Sequence, residues 1–305
     1  MATYPQDKRH LPFGNSAAIQ DPNTLDVLEQ FKIGNCLQKE NNFCQDYLAW
    51  IKSTKHNTIK GLDDFKYACY SNGTTEAFDK FYVKNAKRRF RCFKGEYMYH
   101  RLAWRNGYPN WAFIEDAPLD ANDAVVISLP FSDTGNKHYD MDRVLQDCTE
   151  LSIPVLVDCA YFGICHNIDF DFTHPCITDI TFSLSKTFPV AHVRIGMRLT
   201  RVDDDDSLFV YNKSGYVNRV GGTLGSIYLK TFTPDYIVDM YASKQKEFCH
   251  ALKAEISNTV LFGIGGEEWN EYNRGGPTNR LSLHKFLNLP ITLFYHELQN
   301  GNSKL

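Results

Sequence analysis

The sequence predicts an α/β protein: a mostly parallel sheet with helices on both faces, plus a smaller α+β domain made from the N-terminal arm and the C-terminal segment. Three observations lead there. Val125-Val-Ile-Ser-Leu and Val155-Leu-Val-Asp are apolar nearly throughout, as strands covered on both faces must be. After residue 56 short β-rich runs alternate with helical stretches, the rhythm of parallel strands joined by crossover helices. A chain of 305 residues with 43% hydrophobic and 14% aromatic content can bury one large core or two unequal ones.

In chain order, Asp21-Pro-Asn-Thr24 is a helix start signal, followed by Leu25, Leu28 and Phe31 at helical spacing and closed by Gly34-Asn. Residues 43–56 read as a second amphipathic helix with Phe43, Tyr47, Leu48 and Ile51 inward. Strands are expected at 67–71, 89–93, 124–129, 154–158, 177–183 and 194–201, and helices at 76–87, 98–106 and 141–151. Asp203-Asp-Asp-Asp206 reads as a solvated turn, because four adjacent like charges repel. Residues 211–226 are glycine-rich and read as irregular. A long helix over 234–257 and an α+β segment ending in Arg280-Leu-Ser-Leu-His complete the chain. The expected division is 45–205 for the large domain and 1–44 with 206–305 for the smaller one.

A formal net charge of -3 and a pI near 6.4 give no general attraction to nucleic acid or anionic membranes. One basic run, Lys84-Asn-Ala-Lys87-Arg-Arg-Phe-Arg91-Cys-Phe-Lys94, interleaves cations with aromatics. It reads either as a strand-holding surface or as a helix end leading into a strand. No apolar run approaches the roughly 20 residues that span a bilayer, and Met1 to His10 carry no apolar leader core, so a cytoplasmic protein with no membrane or nucleic-acid partner is expected. Nine cysteines without a CxxC pair read as buried thiols. Cys165-His166 and His174-Pro-Cys176 lack a recognised metal-ligand spacing.

The chemistry centres on Thr181-Phe-Ser-Leu-Ser-Lys186-Thr-Phe, with Arg194 eight residues on. A lysine after an apolar strand and between Leu184 and Phe188 reads as pocketed, and burial would free its amine. Such an amine can form a Schiff base, with hydroxyl and guanidinium donors nearby to hold a phosphate. Upstream, Ser71-Asn-Gly73-Thr74-Thr75-Glu76 stands where a strand meets a helix. It is either an ordinary helix start or an anion cradle of backbone N–H groups. Asp158 sits at the carboxyl end of a buried strand, where open parallel sheets bind ligands, and Tyr161 follows three residues later. A carboxylate there either caps the next loop or faces a cation, since alone its pKa would rise.

Gly73-Thr74-Thr75-Glu76, Pro130-Phe-Ser132-Asp-Thr134-Gly135, Asp158-x-Ala-Tyr161-x-Gly163 and Ser183-Leu-Ser-Lys186 with Arg194 stand in the order of the fold-type I pyridoxal-phosphate enzymes. Over residues 65–285 the chain resembles the class I/II aminotransferases, the group that includes aspartate aminotransferase. The resemblance implies Lys186 as the Schiff-base lysine and proton carrier, Asp158 as partner of the ring nitrogen and Tyr161 as donor to the ring hydroxyl. Gly73, Thr74, Thr75, Ser183 and Arg194 would hold the phosphate. Tyr97 would stack on the ring, with Tyr99 the competing choice. Arg280 matches the arginine that grips a substrate α-carboxylate, with Arg274 as the fallback and a surface ion pair as the bland reading.

Two departures stand out. The family usually reads Asn-Pro-x-Gly where this chain has Ser132-Asp-Thr134-Gly135, so a hydroxyl, or Asp133, replaces the amide that tunes the ring hydroxyl. The chain is also short, with a trimmed arm and small domain. Residues 211–219 resemble the stretch that reaches a neighbouring subunit's site, where Lys213, or Arg219 in a shifted register, would meet an acidic substrate. The resemblance therefore implies a homodimeric aminotransferase that passes an amino group from an α-amino acid to a 2-oxo acid. Lyase, decarboxylase or racemase chemistry at Cα shares the same constellation, and a non-catalytic binding protein on this fold is the reading from another class.

Overall fold

The computed structural model describes residues 10–36, 42–101 and 110–294. Its helices are α1 (Pro22–Gln30), α2 (Phe43–Lys52), α3 (Thr74–Lys84), α4 (Met141–Glu150), α5 (Ser207–Lys213), α6 (Arg219–Thr231) and α7 (Tyr236–Ala251). Its strands are β1 (Thr58–Lys60), β2 (Tyr67–Ser71), β3 (Arg89–Cys92), β4 (Trp111–Phe113), β5 (Asp123–Ser128), β6 (Val155–Cys159), β7 (Asp169–Asp171), β8 (Ile177–Ser183), β9 (Gly196–Thr200), β10 (Glu255–Ile256), β11 (Phe262–Gly265) and β12 (Asn279–Ser282). Residues 98–101 are helical; the rest of the helix expected to 106 falls largely outside the described residues.

Seven strands form the central sheet in the order β2-β9-β8-β6-β5-β3-β4, and only β9 runs against the others. Alternation along the strands assigns the faces. Val125, Ile127, Val155 and Val157 pack in one cluster with residues of α2, α4 and α6, while Ala124, Val126 and Leu156 pack with Phe78, Phe81 and Tyr82 of α3. Helices thus cover both faces, as the apolar runs of β5 and β6 require. A second cluster joins Phe13 and Ile19 of the arm to α7, β11 and β12, beside a small antiparallel β10-β11-β12 sheet.

Most expected elements are present, and the differences have physical causes. At the start of α1, Asp21 caps Thr24 N at 3.0 Å, the role its sequence position implies. Helix α2 stops at Lys52 rather than 56 because Thr54 Oγ1 and Lys55 N bind the Asp235 carboxylate, each at 2.6 Å. Residues 211–226 are not irregular: Asp206 and Asn218 cap α5 and α6. The glycines of α6 serve close packing, since a Cβ on Gly225 would lie 2.5 Å from Phe43 and one on Gly221 2.2 Å from the Tyr70 hydroxyl. Both helices pack on the sheet's own clusters through Leu208, Phe209, Leu224 and Tyr228.

The aspartate run is likewise more than a solvated turn. Asp203 and Asp205 are exposed, but Asp204 and Asp206 turn in to Arg198, whose Nη2 also meets Asp179 at 2.6 Å. The basic run is a helix end leading into β3, with four of its six cations paired: Arg89 and Arg91 to Asp123, Lys84 to Asp204 and Lys94 to Asp116. No described helix is long and apolar enough to cross a membrane.

Candidate active site

The carboxyl ends of β5, β6 and β8 carry Ser128, Asp158 and Ser183. Ser128 and Asp158 are register partners, two residues on from Val126 and Leu156, so both face the α3 side of the sheet. The turn from β2 into α3 lies nearby, because Gly196 of β9 packs against Gly73: a Cβ on it would sit 2.8 Å from Gly73 Cα.

That turn forms a cradle for an anion. Gly73 takes φ +77, which favours glycine, and as N-cap it carries no side-chain cap, leaving the first N–H groups of α3 open. Arg194 lies directly over it: a Cβ added to Gly73 would sit only 2.2 Å from Nη2. Its guanidinium donates to the carbonyls of Ala191 and Asn72 at 3.0 and 3.1 Å and to Thr75 Oγ1 at 3.2 Å. The Ser183 hydroxyl bonds Ser185 Oγ at 2.9 Å and the Ile195 carbonyl at 3.2 Å, holding the loop between β8 and β9 against the cradle. Thr74 is buried at the first turn.

Lys186 stands in a field of cations. Burial, together with Arg280, Arg274 and Arg194, lowers its pKa against the opposing pull of Tyr161. Its amine donates to the Ser16 carbonyl of the N-terminal arm, a partner the sequence did not single out. Tyr161 accepts from Arg280 Nη1 at 3.2 Å. Burial pushes the Tyr161 phenol up, but Arg280, Lys186 and Arg274 outweigh it and hold it below its ordinary value. Arg280 is 5% exposed, stacks 4.3 Å from the Phe262 ring, and donates to the Ser132 carbonyl. Arg274 Nη1 reaches the same oxygen at 3.3 Å.

Asp158 is 4% exposed and accepts from Ala160 N at 3.0 Å. Burial, then the nearby Glu96 carboxyl, push it up to about 8 against the pull of Ala160 N and Lys186. Glu96 is a functional neighbour that sequence reasoning missed; a lone glutamate before an aromatic has no signature. It is fully buried, accepts from Ser128 N at 2.7 Å, Ser128 Oγ at 2.6 Å and Tyr97 N at 3.0 Å, and is pushed up to about 7, chiefly by burial. Through that last bond it fixes the backbone of Tyr97. Tyr97 is 38% exposed, and burial raises its phenol's pKa, with Tyr161, Asp158, Arg194 and Arg274 also acting on it. Tyr99 turns away to Asp79 at 2.6 Å.

Several residues lie elsewhere. Lys213 ends α5 and pairs with Asp203 at 2.7 Å. Cys165 and Cys176 donate to different backbone carbonyls, those of Phe162 and Leu145. Around the pocket, Ser132 Oγ, Asp133 Oδ1, Ser71 Oγ and Arg280 Nε are buried without a hydrogen-bond partner among the described residues. Ser132 thus brings both an idle hydroxyl and a carbonyl shared by two arginines.

No protein-family model and no curated protein matches the chain. Solved structures do. The probable N-succinyldiaminopimelate aminotransferase from Thermus thermophilus superposes with a TM-score of 0.65 at 15% identity, covering 97% of this chain and 94% of that one. Tyrosine aminotransferase from Leishmania infantum gives 0.66 at 13%, covering 95% and 94%. The pyridoxal-phosphate-bound C-S lyase from Staphylococcus hominis gives 0.65 at 12%, covering 95% and 90%. The fold is therefore that of the fold-type I pyridoxal-phosphate enzymes, over nearly the whole chain rather than residues 65–285 alone.

Proposed function

We propose that the chain is a pyridoxal-phosphate enzyme acting at the α-carbon of an amino acid, and specifically an aminotransferase that works as a homodimer with a 2-oxo acid as acceptor. One observation carries the reading: a lysine whose pKa is lowered shares a pocket with a buried aspartate pushed up to about 8 and with a cradle under Arg194. The residues fit the cofactor. The open N–H groups of α3, Thr75 Oγ1 and Arg194 suit a phosphate, and the buried Asp158 suits a protonated ring nitrogen, which would restore its charged form. The unpartnered Arg280 Nε suits a carboxylate.

When bound, the cofactor supplies an electron sink for the pair left at Cα. The protein does the rest. Arg194, Thr75, Thr74 and Ser183 would hold the phosphate end, Asp158 would accept from the ring nitrogen, Tyr161 would hold the ring hydroxyl, and Tyr97 would stack on the ring. Arg280 grips the α-carboxylate, which fixes the bond to be broken. Lys186, its amine kept available by burial and by three neighbouring arginines, would take the proton from Cα and, in amino transfer, give it up to the cofactor's carbon rather than back to Cα. A lyase that starts from the same loss of the Cα proton is the second reading, favoured by the likeness to the C-S lyase; a carboxylate clamp at Arg280 speaks against decarboxylation.

Purified protein given pyridoxal phosphate should show a visible absorbance band that Lys186→Ala abolishes. Colourless wild-type protein would sink the reading. Bleaching of the band by an amino acid, restored by a 2-oxo acid, marks amino transfer, whereas keto-acid release without an acceptor marks the lyase.

A further inference from the structure

Arg274 and Arg280 approach one another through a single neutral atom. Both donate Nη1 to the Ser132 carbonyl oxygen, and among the described residues neither forms an ion pair with a carboxylate. The carboxyl that acts on both, Asp133, is engaged by Thr278 through Oδ2, at 2.8 Å from Oγ1 and 3.2 Å from N, and its Oδ1 is without a hydrogen-bond partner among the described residues, so neither oxygen bonds a guanidinium. One carbonyl cannot balance two guanidinium charges, and the cost shows: burial and the Arg280 charge lower Arg274 to about 10.

The two arginines also hang on different supports. Arg280 belongs to β12. Arg274 sits on the loop before it, braced by Asn273 Oδ1 accepting from Gly275 N at 2.8 Å and by Arg101 Nη2 donating to the Arg274 carbonyl at 3.2 Å. A forked guanidinium satisfies one carboxylate by itself. With Arg194 committed to the cradle and Arg280 to the α-carboxylate, one fork remains over.

We propose that Arg274 is a second anion site beside Arg280, and that the amino acid acted on carries an acidic side chain, a carboxylate or equivalent oxyanion. The role of Arg280 here rests on the proposed function above. The second acidic group displaces Arg274 from the Ser132 carbonyl and supplies the directly paired carboxylate that Asp133 does not; a neutral side chain leaves the two cations facing each other.

Calorimetric titration of the protein, supplied with pyridoxal phosphate, with maleate and with propionate tests this. Maleate should bind at least about 10-fold tighter, the low end for a charged hydrogen-bonded pair. Arg274→Gln should remove most of that advantage while moving propionate less than about 3-fold. Arg280→Gln should weaken both ligands. Arg274→Lys, the variant that keeps the charge, should retain part of the preference because an ammonium cannot fork. Equal wild-type affinities overturn the proposal, as does equal weakening of both ligands in Arg274→Gln or Arg274→Lys, which places Arg274 on the α-carboxylate with Arg280. Titration needs no turnover, so this pattern without a visible band or amino transfer would remove the proposed function and leave the second anion site standing.

Discussion

Arg198 and Arg280 are both almost completely buried, at 0% and 5% exposure, yet their surroundings are opposites. Arg198 is enclosed by the carboxylates of Asp179, Asp204 and Asp206. Arg91, equally buried, has Asp123 and the carbonyls of Pro118, Phe113 and Ala117. Arg280 has one carbonyl, one phenol and another arginine on the same carbonyl. Removing a charge from water is costly unless partners replace its hydration. Where the chain needs an arginine for the fold it supplies those partners itself; in the pocket it withholds them, so an anionic ligand can be one.

The largest effect should come from breaking the saturated region. Arg198→Ala leaves Asp179 buried without a cation and Asp204 with Lys84 alone, which should lower unfolding stability by about 3–5 kcal/mol in denaturant titration. Arg280→Leu breaks no ion pair, the nearby Asp133 carboxyl being held by Thr278, and relieves Arg274 and Lys186. Its stability should change by less than about 1 kcal/mol, or rise, while the half-saturating concentration of every amino donor rises at least about 10-fold. Equal destabilisation by the two variants would erase the distinction.

A smaller effect should appear at the buried acids. Glu96 rises from 4.5 to about 7 and Asp158 from 3.8 to about 8 on folding. Groups with raised pKa hold their protons more tightly in the folded state, so the stability they add is full below the unfolded values. It is lost as pH climbs through the folded ones. Both acids should therefore cost the cofactor-free protein stability between pH 5.5 and pH 8.5, while His100, His138 and His284, held neutral by burial, pull the other way as pH falls. Glu96→Gln should remove on the order of 2–3 kcal/mol of the acids' contribution across the window, read as the difference between variant and wild type at the two pH values. A slope unchanged in Glu96→Gln would show that Glu96 is ionised in the fold throughout.

Which of these features could be read from the sequence depends on how local their cause is. Strands β2 and β8 were placed to the residue, and Asp21 was visible as a cap, because alternation, apolar runs and capping chemistry act over a few residues. Lys186, Asp158, Tyr161, Arg194 and Arg280 stood in a recognisable order, and the fold does bring them together. Glu96, Ser16 and the shared Ser132 carbonyl were not legible, since each acts through a backbone or a neighbour far away in sequence. The glycines of α6 misled for a related reason: their use is to admit Phe43 and Tyr70, 182 and 151 positions upstream, and nothing local distinguishes that from flexibility.

The smallest effect should come from Lys213, which sharpens the contrast from the other side. Its ion pair with Asp203 joins side chains that are 55% and 35% exposed, where solvent and salt screen the attraction and side-chain entropy opposes it. Lys213→Ala should change stability by less than about 0.5 kcal/mol and leave the maleate preference intact. The sequence nevertheless offered Lys213 for the distal acid of a substrate bound in a neighbouring subunit. If Lys213→Ala abolished the preference while Arg274→Gln did not, the second anion site would be built across a subunit boundary instead of within the chain. The saturated Lys213–Asp203 pair would then have to open for each ligand, whereas Arg274 has no carboxylate to release. That asymmetry is the physical reason to expect Arg274.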